Sequence, residues 1–523
     1  MEEIRISLLL ITYAALVIFS WLAWQALVQF WLRPIKLQRF LRQQGIDGPS
    51  YKFPFGGTDE ETRALQKAAS KPMDFSHKSI VTYILPYLHQ IVQKYGNSSK
   101  MCFYWVGRTP KVVITDPDTI KEIMSHQFNH FNKIQSPVRV LLPGLISHEG
   151  EKWAMHRKII NPAFRLDKLK MMAPVFYTCC EEMVNRWKML LSEDSSKELD
   201  IWPEFQNLTG DGLSLAAFGT SHEEGRRIFK LQLEIADLAI ELRRSTNLAG
   251  FRWHGPNKTN KKLKELDSEL TRMLKKIVHK REEAMRNGEA TKDDLLGLLL
   301  ESNFKEIQEN KGSNNVGLTL HEIIEDCKLF YFAGQETTST LLVWTMVVLS
   351  MHPEWQAQGR EEVLQVFGER KLDYEGLNHL KIVTMILHEV LRLYPPVPSI
   401  HRESHKAIQL GKVCLSPEIY VQIPAILLQH DREIWGDDAE EFNPRRFADG
   451  VSKATKNQVV FFPFSWGPRI CIGQNFAMIE AKMALAMILR HFSFELSPTY
   501  VHVPHLIITL QPKHGVQLIL HKL

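Results

Sequence analysis

The chain has 523 residues, of which 44% are hydrophobic and 24% charged, and its 64 basic against 59 acidic side chains leave a formal charge of +5. That composition excludes a disordered or collagen-like chain. So small an excess of positive charge, spread evenly, excludes the concentrated basic and aromatic face of a nucleic-acid binder. Six cysteines, Cys102, Cys179, Cys180, Cys327, Cys414 and Cys471, form neither a CxxC pair nor a dense extracellular framework, which points to a reducing compartment.

The first element is a run without charge from Ile6 to Leu32. About 20 apolar residues suffice for a helix to cross the hydrocarbon layer, and this run is too long for a signal-peptide core and lacks a small-residue cleavage site. It reads as a retained anchor. Arg33, Lys36, Arg39 and Arg42 follow it, against Glu2, Glu3 and Arg5 before it, so the positive-inside rule leaves the remainder in the cytosol. Sequons at Asn97, Asn207 and Asn257 are then expected to stay unmodified. Pro34, Pro49, Pro54 and Gly56-Gly57 are expected to interrupt the helix, giving an anchor at 1–33, a linker at 34–57 and a body at 58–523.

Within the body, "MCFYWVGRTPKVVITD" (101–116) has two β-branched and aromatic runs around Gly107-Arg108-Thr109-Pro110, as a hairpin would. "WAMHR", Trp153 to Arg157, opens a basic stretch with Lys152, Lys158, Arg165, Lys168 and Lys170, either a docking face for an acidic partner or a solvated helix surface. Polar, turn-rich connections lie at 192–198 and 309–317, and the mixed charges of 260–285 suit a helix with one solvated face. No internal repeat is visible.

Thr319 and Glu322 form a capping-box pair, and the apolar run beyond them lasts until Pro353, predicting a helix of about 30 residues with "AGQETTST" at its middle. A second helix, "LKIVTMILHEVLRLYPP", ends at Pro395 and places Glu389 and Arg392 on one face. "FNPRRF" (442–447) follows, and then "FPFSWGPRICIG", which surrounds Cys471 with Phe464, Gly467, Pro468, Arg469 and Gly473. Gly467 and Gly473 would let amide N–H groups turn toward the sulfur, Phe464 would cover one side, and the helix beginning after Gly473 would set its positive end beside a thiolate.

Phe464, Gly467, Arg469, Cys471 and Gly473 stand as F-x-x-G-x-R-x-C-x-G, which resembles the haem-binding signature of the cytochrome P450 family. "AGQETT" resembles that family's oxygen-activation segment, "EVLR" its Glu-x-x-Arg pair and "WAMHR" its W-x-x-x-R, all in family order. The resemblance runs from anchor to C-terminus and implies a mainly α fold, a large helical domain with a smaller β-rich subdomain behind one transmembrane helix. It also implies haem b on the thiolate of Cys471, the one metal ligand, with O2 as co-substrate. Arg157, Arg402, Arg469 and Trp153 are the implied propionate partners, with His401 a lesser choice. Thr337 would hold a water or the distal oxygen, Glu336 would connect it to bulk solvent, and Ala333 and Gly334 would leave space for oxygen. One departure from the pattern is Arg445, where the family usually has glutamate; it is expected to face solvent, while Arg446 joins Glu389 and Arg392 in a buried ion network.

No G-x-G-x-x-G or flavin segment is present, so the resemblance implies an external NADPH-dependent cytochrome P450 reductase as electron donor, at the endoplasmic reticulum membrane. "HRKIINPAFRLDKLKMM" and "GRRIFKLQ" are similar to a plant clan acting on terpenoids. An apolar iridoid or triterpenoid is the implied substrate, with a brassinosteroid or gibberellin as the alternative. Pocket contributors are expected near Val138–Leu145, Ile235–Leu242, Phe330–Ala333, Val397–Ile400 and His505–Ile507. Two readings of other kinds stay open: a haem-thiolate isomerase or lyase that inserts no oxygen, and a haem-binding sensor.

Overall fold

The computed structural model describes residues 2–70, 72–73, 80–96, 100–134, 142–191, 196–249, 258–289, 294–309, 317–417 and 419–523, with the backbone alone for 3 and 243–249. Sequons Asn97 and Asn257, the pocket candidates 138–141 and most of the two polar connections lie outside these residues. The chain divides into two compact units, Met1–Lys71 with Val81–Ile134 and His401–Pro424, and Pro72–Ile80 with Gln135–Ile400 and Ala425–Leu523.

The first unit begins with a helix that does not stop where proline was expected to stop it. An α-helix over Glu2–Leu27 widens into a π-helical turn at Val28–Leu32 and resumes as α-helix over Arg33–Gln43. Pro34 lies in the first turn of that last segment. There its missing N–H is no loss, and the wider turn before it relieves the clash of its ring with the preceding carbonyls. The helix ends instead at Gly45, whose φ of +78° lets the Gly45 N–H reach Arg42 O and the Ile46 N–H reach Leu41 O, a Schellman cap. From Ile4 to Gln43 the helix runs 40 residues with a mean hydropathy of 2.2 over its most apolar stretch, which is exposed throughout. Leu37 and Leu41, past the apolar stretch, are buried.

The same unit holds a five-stranded sheet in the order Met101–Val106, Thr109–Ile114, Tyr420–Ile423, Ile400–Ser404, Phe131–Asn132. The expected hairpin supplies its first two strands, antiparallel from Met101 opposite Ile114 to Val106 opposite Thr109, with Gly107 taking the positive φ at the turn. Phe103, Tyr104 and Trp105 are buried, the Trp105 indole donates to Pro49 O, and the Tyr104 hydroxyl donates to Gln422 at 2.8 Å.

The second unit is mostly helical and built around Leu320–Met351. Both halves of the capping box form at its start, Thr319 accepting from the Glu322 N–H and Glu322 from the Thr319 N–H. Helices Ile201–Phe218, Lys381–Leu393 and Gln474–His491 pack around it. From Asp326 to Leu349 every residue of this central helix is buried except Ala333, Gly334 and Thr337. An apolar helix buried all round needs neighbours on every side, so three partly exposed positions at its midpoint mark a place where the neighbours stand back. Helix Lys258–Arg286 buries Leu263, Leu270, Leu274, Ile277 and Val278 and turns its charges outward, as expected. A three-stranded antiparallel sheet of Ser196–Asp200, Gln517–Lys522 and Phe492–Leu496 and a small hairpin, Pro504–Leu506 with Leu510–Pro512, complete the unit.

Candidate functional site

The cysteine loop lies wholly in the second unit, between the short helix at Pro444–Phe447 and the helix Gln474–His491. Its shape comes from two left-handed residues. Gly467 has φ +68°, as its lack of a Cβ allows, and the other is Ser465 at +66°. Gly473, expected to share that role, has φ −86° and serves as the backbone N-cap of the following helix. A Cβ there would approach nothing closer than 3.9 Å, with the Cys471 sulfur and the Phe164 ring as its neighbours. The turn closes with the Cys471 N–H donating to Phe464 O at 2.8 Å and the Ile470 N–H to Gly467 O at 3.0 Å. Phe464 thus acts on the cysteine first through its carbonyl.

Cys471 is the one exposed cysteine of the six; Cys102, Cys179, Cys180 and Cys327 are buried, and burial holds the Cys102 and Cys179 thiols up at about 12. Those four remain thiols, whereas Cys471 stands two residues before a helix N-terminus, whose partial positive charge favours a thiolate. Arg157 is close enough to feel it: burial lowers the Arg157 pKa and the Cys471 sulfur raises it in return. The Arg157 guanidinium also donates to Ile470 O at 2.9 Å. Trp466 and Ile470 leave apolar surface exposed around the sulfur.

Three of the four expected propionate partners come together here. Arg469 lies over the Trp153 ring at 4.2 Å, a cation–π contact, and Arg157 is near enough to lower the Arg469 pKa after burial has done so. Arg469 is not a lone cation, since it donates to His148 O at 2.9 Å and pairs with Glu149. Arg402 belongs to the first unit, on the strand Ile400–Ser404, where it donates to His401 O.

Behind the cations is a network that no sequence pattern announced. His156, inside WAMHR, is fully buried, and its Nδ1 lies 2.8 Å from Asp326 on the central helix. Asp326 also accepts from the Leu145 N–H at 2.6 Å, and the His148 ring lies tilted against His156 with centroids 4.3 Å apart. Lys152 reaches Glu322 at 2.8 Å. Helix Gly150–Ile160 is thereby fixed to the start of the central helix, and with it the Trp153–Arg469 pair. Asp326 is 170 residues from His156, so no local spacing could have paired them.

The central helix supplies the facing wall. Phe330 packs edge-to-face on Phe164 at 5.6 Å, and Phe164 borders Gly473, which ties this face of the helix to the cysteine loop. Ala333 and Thr337, three and seven residues on, continue the same face and are the partly exposed positions. The Thr337 hydroxyl donates to Ala333 O at 2.7 Å, which leaves its oxygen free to accept from a further donor. Gly334 has another reason to be small, because a Cβ would press to 3.1 Å on Leu213. Glu336 departs from expectation. It is 2% exposed, far from connecting to solvent, and its Oε1 accepts from the Thr509 hydroxyl at 2.6 Å and from the Gln511 amide. Burial pushes its pKa up, and those two hydrogen bonds restrain the rise. Glu336 stands one residue before Thr337, about 100° of rotation round the helix, which turns it away from the partly exposed face.

The ion network predicted from the sequence forms as expected. Arg392 grips Glu389 with two parallel hydrogen bonds of 2.6 and 2.8 Å, both side chains fully buried, and Arg446 approaches Glu389 at 3.4 Å. Arg392 also donates to Gln429 O and Glu441 O, so its charge is satisfied on all sides. Arg445 is exposed and lies over the Trp355 ring at 5.9 Å. In the basic stretch, Lys152, Lys158, Arg165 and Lys170 each carry a carboxylate partner, Glu322, Glu306, Asp167 and Glu375. A good part of that face is therefore neutralised within the chain.

An exposed sulfur at a helix N-terminus, apolar rims and two arginines beside an indole fit a haem with a cysteine axial ligand and two carboxylates. Among the described residues no cluster of three or more histidines, cysteines and carboxylates offers a different metal site. Comparison with known proteins agrees. A family profile described as Cytochrome P450 matches residues 80–518. The chain is 52% identical to cytochrome P450 72A397 of Kalopanax septemlobus over 502 residues, 96% of this chain and 95% of the relative. It is 51% identical to cytochrome P450 CYP72A616 of Paris polyphylla over 96% and 97% of the two chains, and 50% identical to the 11-oxo-beta-amyrin 30-oxidase of Glycyrrhiza uralensis over 94% of each. The thiolate loop, the buried Glu-Arg pair and relatives at half identity over nearly the whole length lead to one assignment: the chain belongs to the cytochrome P450 family of haem-thiolate monooxygenases.

Proposed function

We propose that this protein is an endoplasmic-reticulum monooxygenase that hydroxylates or further oxidises an apolar plant triterpenoid, with electrons delivered singly from an NADPH-dependent cytochrome P450 reductase. One oxygen atom of O2 enters a C–H bond and the other leaves as water. Bound through Cys471, haem supplies O2 activation, its thiolate donation favouring O–O cleavage. The chain's own residues do the rest. Arg157, Arg469 and Trp153 hold the carboxylates, Thr337 accepts and passes a proton at Oγ1, and the buried central helix limits water to its one open face.

The observation that carries this reading is the partly exposed stripe Ala333–Gly334–Thr337 in a helix otherwise buried from Asp326 to Leu349. Thr337 sets a hydroxyl on that stripe, and Phe330 lies on the same helix face about two turns before it. The triterpenoid class rests on the relative from Glycyrrhiza uralensis, named for oxidation of an amyrin. Smaller iridoids and hormones such as a brassinosteroid or gibberellin are the competing substrates. Reconstitution with reductase, NADPH and a panel of these three classes decides among them. Product carrying one atom from labelled O2, formed from the triterpenes alone, supports the proposal. Turnover confined to iridoids or hormones overturns the substrate class, and haem binding without any turnover favours a sensor. Rearranged or cleaved product without label favours an isomerase or lyase.

A further inference from the structure

Arg469 is aimed by residues 320 places earlier in the chain. Its guanidinium donates to His148 O at 2.9 Å and pairs with Glu149. Both belong to the segment Gly144–Glu149, a turn of 3-10 helix at Gly144–Ile146 and the three residues that lead into helix Gly150–Ile160. The segment is docked on the central helix at Asp326. The Leu145 N–H donates to one Asp326 oxygen at 2.6 Å, and Gly144, with φ +65°, comes so close that a Cβ would lie 2.9 Å from the Asp326 backbone. The other Asp326 oxygen takes the His156 Nδ1 at 2.8 Å, and the His156 ring lies against that of His148. Asp326 and His156 are both wholly buried. A carboxylate on the central helix thus leads, through this segment, to the Arg469 guanidinium.

We propose that Asp326, seconded by His156, is a positioning residue for the haem carboxylates: it fixes the Gly144–Glu149 segment on the central helix, and that segment aims the Arg469 guanidinium. The inference rests on reading Arg469 and Cys471 as parts of a haem site. Without the Asp326 carboxylate a buried N–H and a buried imidazole lose their partner, so the segment must shift to satisfy them. Arg469 shifts with it, because its partners His148 O and Glu149 are in the segment. A cation fixed beside the carboxylates favours the more electron-rich, ferrous state, and a displaced one gives ground to ferric. Removal of the Asp326 negative charge by itself acts the other way, since a nearby anion disfavours an added electron. Positioning and bare charge therefore move the midpoint potential in opposite directions.

Full-length, haem-loaded variants test this. Asp326→Ala removes the anchor, Gly144→Ala pushes the segment off it with every charge left in place, and Asp326→Asn keeps an oxygen for the Leu145 N–H and offers an amide to the His156 Nδ1. Hydrogen exchange over 144–149 reports the docking, and spectroelectrochemical titration reports the midpoint potential. Exchange is expected to quicken about tenfold in Asp326→Ala and Gly144→Ala. At a fixed poise the ferric-to-ferrous ratio rises several-fold in both. Asp326→Asn stays near wild type in exchange and shows no fall in potential. In an Arg469→Lys background, Asp326→Ala changes the ratio far less than it does alone, as coupled residues require. Wild-type exchange in Asp326→Ala, or a potential that is unchanged or raised in Asp326→Ala or Gly144→Ala, overturns the proposal. So does full additivity with Arg469→Lys, which would send the effect by another route, and so does Asp326→Asn falling as far as Asp326→Ala, which would place it in the charge. Should Asp326→Ala not fold, Gly144→Ala carries both readouts. A wild type that binds no haem sinks the reading of the site, and the proposal with it; a wild type that holds haem, with an unmoved potential in the variants, sinks the proposal alone.

Discussion

Cys471 and Thr337 make the sharpest demands on single atoms. Cys471→Ser replaces a soft, readily ionised sulfur by a hydroxyl, and the carbon monoxide difference spectrum of the reduced protein is expected to lose its thiolate-type band completely. An unaltered band in that variant would refute the ligand assignment. Thr337→Ala removes the hydroxyl on the partly exposed stripe. Peroxide released per NADPH consumed should rise several-fold in the reconstituted system, since loss of a positioned proton donor costs about a hundredfold in the step it serves. At this scale the sequence was legible where chemistry dictates residue type: a single thiol among glycines, an aromatic and an arginine. It was less legible where backbone geometry decides. Ser465 takes a left-handed conformation that its identity does not advertise, while Gly473 takes a φ that any residue adopts. Glu336 was misread for a related reason, because a motif names a carboxylate but not the side of the helix its partners occupy.

Helices and their joints show the same division. The central helix was visible at both ends, through a capping box and a proline, and the structure begins and ends it at Leu320 and Met351. Its cap should also govern acid stability. Burial raises the Glu322 pKa, and hydrogen bonds from Lys152 and Thr319 more than reverse this, bringing it down to about 2. A carboxyl held below its unfolded value of about 4.3 stabilises the fold fully above that pH, and the contribution disappears as pH falls toward 2. The thermal midpoints of the wild type and of Glu322→Gln are therefore expected to differ at pH 5 and to converge only as pH falls through about 2. A constant gap would contradict the assignment. Glu389 and Arg392 tie the helix Lys381–Leu393 to the chain at Gln429 and Glu441. Arg392→Ala strands a fully buried carboxylate and should cost about 3–5 kcal/mol, read as a lowered thermal midpoint and poor haem retention. Arg445→Glu, at an exposed position one residue from this network, is expected to stay within about 0.5 kcal/mol of wild type in the same assay. What the periodicity of these segments could not reveal was the link between His156 and Asp326, which exists only because two helices distant in sequence meet.

At the scale of the whole molecule, composition, charge and the apolar first segment already indicated a membrane-attached helical enzyme, and the order of four motifs indicated which kind. The attachment itself was drawn wrongly at one point. Forty helical residues span about 60 Å, twice the hydrocarbon thickness of about 30 Å. With Ile6–Leu32 in the bilayer, the rest of the helix carries on unbroken through Pro34 to Gln43, where Leu37 and Leu41 are already buried in the first unit. A stiff stem of this kind transmits the tilt of its lipid-embedded half to the sheet it joins. The entrance of that unit to the lipid surface is then a matter of angle, set by where Trp31 and the arginines beyond it come to rest, and a bilayer of different thickness would swing it. Inserting a few glycine and serine residues after Leu32 should convert the stem into a swivel, visible as a loss of preferred orientation in linear dichroism on supported bilayers.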